Sequence, residues 1–245
     1  MKYAIMFDPG HGGSDSGAAA NGILEKDINW KAACEVHDLL VAHGITVSLT
    51  RNEDELPSLQ DRANRASAWG ADLLISVHHN AGGGHGYEIY KSIKGALDDT
   101  LADILANEYQ KAGQVAHGDG IFTKQLDDGD DYYGVLRYSA ELGVPAIISE
   151  YCYIDSDDVA HVNNDDGIHN EAVAIAKAVC TLCEVEWEIA PSVPATPIEE
   201  RIALALVDKG WSHDAVYWQD CMEGKRAADR ISLTTILGRA VGLME

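Results

Sequence analysis

The chain has 245 residues, enough for one or two domains with a sizeable buried core. Its 40 acidic residues outnumber its 18 basic residues, which gives a formal net charge of −22 and argues against binding to nucleic acid or to an anionic membrane surface. No apolar run reaches the roughly 20 residues of a membrane span, which argues against membrane insertion. The start of the chain turns acidic at Asp8 and lacks the apolar region of a secretory signal. We therefore expect a protein that is made in the cytoplasm without a signal peptide.

The negative charge is distributed unevenly along the chain. Residues 191–245 hold eight acidic and six basic residues, whereas residues 1–190 hold 32 acidic and 12 basic residues. Three of the six prolines fall within 191–197, where missing backbone donors and restricted φ favour a semi-rigid linker. This pattern predicts a large acidic domain over 1–187, a linker over 188–197 and a small module over 198–245.

Strand and helix patterns alternate along the large domain. Short apolar runs predict strands, and apolar residues at helical spacing predict helices, several of them bounded by Gly or by a capping motif. In chain order they predict a strand over 3–7, a helix from Ile28 to Gly44, a strand over 45–50, a helix from Ser58 to Gly70, a strand over 73–77, a strand over 87–90, a helix over about 96–113, a strand over 146–149 and a helix over about 168–186. This alternation predicts an α/β fold with a mostly parallel twisted sheet flanked by helices, to which the C-terminal module adds short helices.

The cysteines predict neither a disulfide framework nor a metal centre. Five cysteines form no even, dense set, and the pair Cys180 and Cys183 has no second pair to complete a zinc site. Spacing of three on a helix places both thiols on one face, so we expect buried core residues.

Four side chains with metal-binding or catalytic chemistry stand where strands end or a helix begins. His11 follows the first strand, Glu25 precedes the first helix, His78 closes the buried strand and Glu150 closes the last one. Because the ligand crevice of an open α/β sheet lies beyond the carboxyl ends of its strands, His11, His78 and Glu150 can converge. Two imidazoles, one carboxylate and an open position form the ligand set of a catalytic zinc, and a further carboxylate nearby can act as a general base.

The motifs around these residues resemble those of one known family. Residues 3–182 resemble the zinc-dependent N-acetylmuramoyl-L-alanine amidases of the type-3 amidase family, found in phage endolysins and bacterial autolysins. The resemblance rests on the segments Asp8-Pro9-Gly10-His11-Gly12-Gly13, Glu25-Lys26-Asp27-Ile28-Asn29, Leu49-Thr50-Arg51, Leu59-Gln60-Asp61-Arg62, Ile75-Ser76-Val77-His78-His79-Asn80-Ala81, Gly86-Tyr87-Glu88 and Val144-Pro145-Ala146-Ile147-Ile148-Ser149-Glu150. It implies that His11, Glu25 and His78 bind Zn²⁺ and that Glu150 is the catalytic glutamate.

The resemblance also implies a substrate, the peptidoglycan of a bacterial cell wall. The expected reaction is hydrolysis of the amide between N-acetylmuramic acid and L-alanine, by a phage endolysin that reaches the wall when the host cell is lysed. Two alternatives stay open: a zinc peptidase acting elsewhere on the stem peptide, and a wall-binding protein without catalytic activity.

Three further residues are candidate substrate contacts. Asn80 follows the histidine pair, His85 lies in a glycine-rich loop at the rim, and Arg137 resembles a family arginine near the catalytic strand. The alternative for Arg137 is a structural ion pair. Period-two alternation places His79 on the opposite face of the strand from His78.

The C-terminal module shows three short helical patterns. About 48 residues give only a marginal core. Its aromatic residues Trp211, Tyr217 and Trp218 suit either that core or stacking on sugar rings. We therefore expect this module to bind the cell wall or to mediate homo-oligomerisation.

Overall fold

The computed structural model describes residues 3–95 and 97–188, which belong to one compact unit spanning Met1–Glu188. The predicted linker and the predicted module over 198–245 lie almost wholly outside the described residues. Among the helices that are described, none is both long enough and apolar enough to cross a lipid bilayer.

A six-stranded mixed sheet forms the centre of this unit. Its strands are β1 (Ala4–Pro9), β4 (Thr46–Leu49), β5 (Leu73–Asn80), β6 (Tyr87–Lys91), β7 (Ala116–Phe122) and β8 (Ala146–Tyr153), and a separate hairpin joins β2 (Ala19–Ala20) to β3 (Ile23–Leu24). The spatial order of the six strands is β4-β1-β5-β8-β6-β7. The pairs from β4 to β8 are parallel, β6 runs antiparallel to β8, and β7 is parallel to β6. The prediction of a mostly parallel sheet is confirmed.

Helices cover both faces of the sheet. They are α1 (Glu25–Ala42), α2 (Leu59–Trp69), α3 (Leu97–Lys111), α4 (Gly134–Glu141) and α5 (Asp165–Leu182), with a short 3-10 helix over Asp157–His161. α5 packs against α1 and α3, whereas α2 packs against α4. Two clusters of buried apolar residues lie between the sheet and these helices. Side chains along β1 alternate between them, since Ile5 and Phe7 belong to the larger cluster and Met6 belongs to the smaller one.

The sequence predicts the long helices and the central strands closely and misses five shorter elements. Ser58 forms the expected capping box with Asp61, and Gly70 ends α2 in the left-handed conformation. Cys180 and Cys183 are free and buried, as predicted. The missed elements are the two-residue strands β2 and β3, the short 3-10 helix, β7, whose sequence carries two glycines and no apolar alternation, and α4, which has only eight residues.

One buried ion pair connects the elements that carry the loops at the carboxyl end of the sheet. Asp8 on β1 accepts hydrogen bonds from Arg62 Nη1 on α2 (2.6 Å), from Ser76 on β5 (2.7 Å) and from Thr50 after β4. Burial alone would raise the pKa of Asp8, but the Arg62 charge and these hydrogen bonds outweigh burial and hold the pKa below its usual value. Asp8 is therefore ionised over the whole neutral range.

We predict that Asp8→Asn lowers the free energy of unfolding by about 3–5 kcal/mol, because it leaves the buried Arg62 charge without its partner. Urea unfolding at pH 7 measures this loss. Since the native pKa of Asp8 is depressed, its contribution is present above the unfolded pKa and disappears as the pH falls through the native pKa. The difference between the two proteins should therefore shrink below about pH 4.

The control is Glu55→Gln, which breaks the more exposed pair with Arg65. Exposed pairs contribute about 1 kcal/mol or less. An equal loss in both variants would contradict the role assigned to Asp8.

Candidate active site

The loops at the carboxyl ends of β1 and β5 bring His11 and His78 together. Their imidazole rings meet edge to face with centroids 4.9 Å apart. Gly10 permits this approach, because a Cβ at that position would lie 2.2 Å from the His78 ring. Gly17, which has a φ of +63°, lies equally close to Glu25, since its Cβ would fall 2.4 Å from Glu25 Oε2. Because Gly10 and Gly17 have no side chains, the space beside them is free for His78 and Glu25.

Glu25, the first residue of α1, completes a cluster of three potential metal ligands. Its Oε2 lies 3.1 Å from His11 Nε2, and its Oε1 lies 2.9 Å from His78 Nδ1. One ligand atom from each of the three residues lies within 4.8 Å of the others. The sequence therefore predicts correctly that these three residues meet, although their role as ligands stays a prediction.

Electrostatics keeps the Glu25 carboxylate ionised. Burial would raise its pKa, but His11 and His78 together lower it far below the usual value. For His11, burial would lower the pKa, but Glu25 and Asp15 outweigh burial and raise it to about 9. A metal ion that binds here must therefore displace a proton from His11.

A second set of hydrogen bonds orients the ligand atoms. Asp15 Oδ2 lies 2.8 Å from His11 Nδ1, which holds a proton on that nitrogen and leaves Nε2, on the side of Glu25, as the atom that can bind a metal once its own proton is displaced. Glu25 itself accepts hydrogen bonds from the backbone N–H of Ala18 (2.8 Å) and of His79 (3.2 Å). The donor set of two imidazoles and one oriented carboxylate suits Zn²⁺.

A chain of buried polar side chains leads from α5 through β5 and α1 to Glu25. Glu171 on α5 lies 3.0 Å from His79 Nε2, and His79 Nδ1 lies 2.7 Å from Asn29 Oδ1. Asn29 donates through Nδ2 to Glu25 Oε1 (3.3 Å) and to the Gly10 carbonyl (3.3 Å). Because both of those partners are acceptors, the amide orientation of Asn29 is fixed and His79 donates to it. His79 thus faces away from His78, as the alternation along β5 predicts.

Glu150 stands one strand away from the three clustered ligands. On β8 it pairs with His78 of β5 on one side and with Glu88 of β6 on the other. Its Oε2 is buried and has no hydrogen-bond partner among the described residues. The pKa of Glu150 is raised to about 7, because burial, together with the neighbouring Glu25 carboxylate, outweighs the lowering effect of His78. A buried carboxylate with an unpartnered oxygen beside a ligand cluster is a strong candidate for proton transfer.

Glu88 is a member of the site that the sequence prediction does not include. It accepts hydrogen bonds from the hydroxyl groups of Tyr90 and Tyr153, each at 2.7 Å, and from Asn80 Nδ2 at 3.1 Å. The signal was present in the Gly86-Tyr87-Glu88 segment, but the antiparallel pairing of β6 with β8 is needed to bring it beside Glu150. Asn80, a predicted substrate contact, holds Glu88 in place.

The other two predicted substrate contacts lie away from the ligand cluster. His85 is 62% exposed, and its Nδ1 lies 3.0 Å from the buried Asp158. Arg137 donates through Nη1 to the carbonyls of Asp131 (2.6 Å) and Tyr132 (3.3 Å). It thereby holds the turn before α4, and the substrate contacts of His85 and Arg137 stay predictions.

The ligand cluster opens into a cavity of about 580 Å³. His11, His78 and Asp15 line one part of it, and Asp8, Arg62 and the segment 56–59 line the rest. An α/β sheet with a cluster of potential metal ligands beside a cleft and a carboxylate one strand away is the arrangement expected of a metal-dependent hydrolase.

Comparison with known proteins specifies the family within that class. The family described as N-acetylmuramoyl-L-alanine amidase (Amidase_3) matches residues 5–181, and the chain belongs to this family. The resemblance and the amidase function are thus confirmed at the level of the family. An endolysin of Bacillus phage SPP1 is 34% identical over 197 residues, which cover 79% of this chain and 71% of the relative. The amidase CwlM of Bacillus licheniformis is 36% identical over 62% of this chain, a match that spans 57% of the relative.

Solved structures confirm the fold. Cwp6 from Clostridium difficile superposes with a TM-score of 0.69 and 31% identity, covering 74% of this chain and 29% of that protein. The catalytic domain of CwlV from Bacillus (Paenibacillus) polymyxa gives 0.64 and 25% identity, covering 75% of this chain and 99% of that domain.

We predict that Asn29→Leu weakens metal binding by about 10- to 100-fold, because Glu25 loses the donor that orients its Oε1. Competition with a chromophoric chelator, with Zn²⁺ as the probe, measures the dissociation constant. Gln114→Leu is the matched control, since Gln114 is a buried amide that donates to the Tyr151 carbonyl and makes no contact with the cluster. Equal affinities in the two folded variants would contradict the prediction.

Proposed function

We propose that this protein is a zinc-dependent N-acetylmuramoyl-L-alanine amidase. It hydrolyses the amide between the lactyl group of N-acetylmuramic acid and the L-alanine of the stem peptide in peptidoglycan. The observation that carries the proposal is the convergence of His11, Glu25 and His78 with the unpartnered Oε2 of Glu150 one strand away.

His11, Glu25 and His78 would hold the zinc ion. When bound, zinc polarises the scissile carbonyl and lowers the pKa of a bound water to about 7. Asp15 keeps the Nε2 lone pair of His11 free for ligation, and Asn29 holds Glu25 Oε1. The hydrogen bonds of Asp15 and Asn29 to the ligands thus fix the geometry of the site before substrate arrives.

Glu150 moves the proton in this reaction. Its Oε2 accepts a proton from the water that attacks the carbonyl carbon, and it passes this proton to the nitrogen of L-alanine as the C–N bond breaks. The products are the muramyl carboxylic acid and a peptide with a free N-terminal alanine. No proton is gained or lost by Glu150 over the whole cycle.

We predict that Glu150→Gln lowers the rate of wall hydrolysis by about 10²- to 10⁴-fold, because the amide cannot carry the proton. The bound zinc, measured by elemental analysis, should stay unchanged. Glu141→Gln is the control, since Glu141 is an exposed carboxylate at the end of α4. Retention of activity in Glu150→Gln would overturn the assignment of the general base.

Product analysis of the wild-type digest separates the amidase from its alternatives. New N-terminal alanine without new reducing sugar ends identifies the amidase, other new peptide termini identify a peptidase, and no new termini identify a wall-binding protein without activity.

We further propose that the biological role is host-cell lysis by a phage endolysin, supported by the similarity to the endolysin of Bacillus phage SPP1 over 79% of this chain. In this role the protein is made in the cytoplasm and acts on the wall after release.

The module over 198–245 would bind the wall or mediate oligomerisation. Residues 1–190 hold 32 acidic and only 12 basic residues, so a polyanionic wall repels this part of the chain. We predict that a chain ending before Pro191 sediments less with purified walls than the full chain. Unchanged sedimentation would rule out targeting, and light scattering of both chains tests oligomerisation.

A further inference from the structure

We infer that the substrate crosses the site in one direction, with the muramyl sugar over Leu56, Pro57 and Leu59 and with the stem peptide over Glu88. We call the first three residues the apolar shelf. This inference rests on the proposed function and adds to it the orientation of the substrate and the residues that recognise each half.

The sheet sets the order of the chemical groups across the site. His11 follows β1, His78 lies on β5, Glu150 on β8 and Glu88 on β6, and these four strands are neighbours in that order. His78 pairs with Glu150, and Glu150 pairs with Glu88, so these three side chains lie on the same face of the sheet. The metal ligands therefore lie on one side of Glu150, and Glu88 lies on the other.

This order determines which half of the substrate lies on which side. The scissile carbonyl carbon bears an oxygen, a nitrogen and the lactyl carbon. In the proposed reaction the oxygen would face the metal ligands and the nitrogen would face Glu150, which gives it a proton. The lactyl carbon and the sugar beyond it are bonded on the side of the carbonyl carbon away from the nitrogen, so they lie on the side of the ligand cluster, while the peptide continues over β8 and β6 toward Glu88.

The apolar shelf lies where this orientation places the sugar. Leu56 and Leu59 are 45% and 49% exposed, and both line the same cavity as His11 and His78. Single exposed leucines are common, but two beside a ligand cluster form an apolar wall inside a binding cleft. The muramyl sugar carries the groups that fit this wall, namely the N-acetyl methyl and the apolar face of the pyranose ring.

The shelf is fixed rigidly to the loop of His11. The buried Arg62 donates from Nε to the Pro57 carbonyl (3.2 Å) and from Nη2 to the His11 carbonyl (2.7 Å). One guanidinium thus sets the distance between the shelf and a metal ligand. A preorganised surface of this kind binds substrate without the entropic cost of ordering a loop.

The opposite side of the site is polar. Glu88 is surrounded by the hydroxyl groups of Tyr90 and Tyr153, and His117 Nε2 lies 3.7 Å from its Oε1. Carboxylate, hydroxyl and imidazole groups suit the amides and charged groups of a peptide.

The test compares two variants on three synthetic substrates. The substrates are a muramyl tripeptide, the same tripeptide acylated by lactate alone, and a muramyl dipeptide that lacks the third residue. We expect Leu56→Ala/Leu59→Ala to lower kcat/KM for both muramyl substrates by about tenfold and to leave the lactyl substrate unchanged. We expect Glu88→Gln to lower kcat/KM for the two tripeptides more than for the dipeptide.

Leu142→Ala is the control, since Leu142 is 41% exposed at the end of α4 and does not line this cavity. Binding of the same compounds to the Glu150→Gln protein gives the comparison without turnover. Two results would overturn the inference. One is an equal loss of kcat/KM for muramyl and lactyl substrates in the shelf variant, and the other is an equal loss of kcat/KM for tripeptides and the dipeptide in Glu88→Gln. If the wild-type protein cleaves none of the three substrates, the proposed function itself fails, which is a separate outcome.

Discussion

The buried pair of Asp8 and Arg62 is the interaction on which the rest of the site depends. Asp8 belongs to β1 and Arg62 to α2, so the pair joins the sheet to a helix on one of its faces. The same guanidinium donates to the carbonyls of Pro9, Pro57 and His11. A charged group buried this deeply is costly unless every donor is used, and here the donors organise two loops at once.

The consequence is that the three candidate metal ligands, His11, Glu25 and His78, are held from both faces of the sheet. Arg62 fixes the His11 loop from one face of the sheet, and the line from Glu171 through His79 and Asn29 reaches Glu25 from the other. His11 adopts a φ of +59°, which a non-glycine residue accepts only when its surroundings impose it. The helices on one face of the sheet hold His11 and those on the other face hold Glu25, so the position of these two residues depends on both helix layers.

The sequence predicts those parts of the site that parallel strands bring together. His11, His78 and Glu150 each stand near the end of a strand in the parallel half of the sheet, and their convergence follows from that topology alone. Glu88 could not be found in this way, because it lies on the strand that runs antiparallel to β8. The local sequence of β6 does not encode which neighbour it will pair with or in which direction.

The alternation of side chains along a strand predicts which face of the sheet a residue lies on, but not which residues it contacts. It correctly turns His79 away from His78, yet the partners of His79 come from α1 and α5, which are 50 and 92 residues away in sequence. The same limit applies to Arg137, whose carbonyl partners lie in an irregular turn that no period describes. Long-range polar contacts of this kind depend on the packed fold and have no local sequence signature.

The row of side chains across the sheet explains how one arrangement can serve both chemistry and recognition. Residues that pair on neighbouring strands share a face and lie about 5 Å apart, which is close to the spacing of successive groups along an extended substrate. A substrate lying across the strands therefore meets the ligand cluster, Glu150 and Glu88 in sequence, one strand at a time. Reversing the substrate would bring the leaving nitrogen to the metal side and the sugar over the polar groups around Glu88. Because the proton comes from Glu150 in the proposed reaction, the position of that single carboxylate within the row selects one direction of binding.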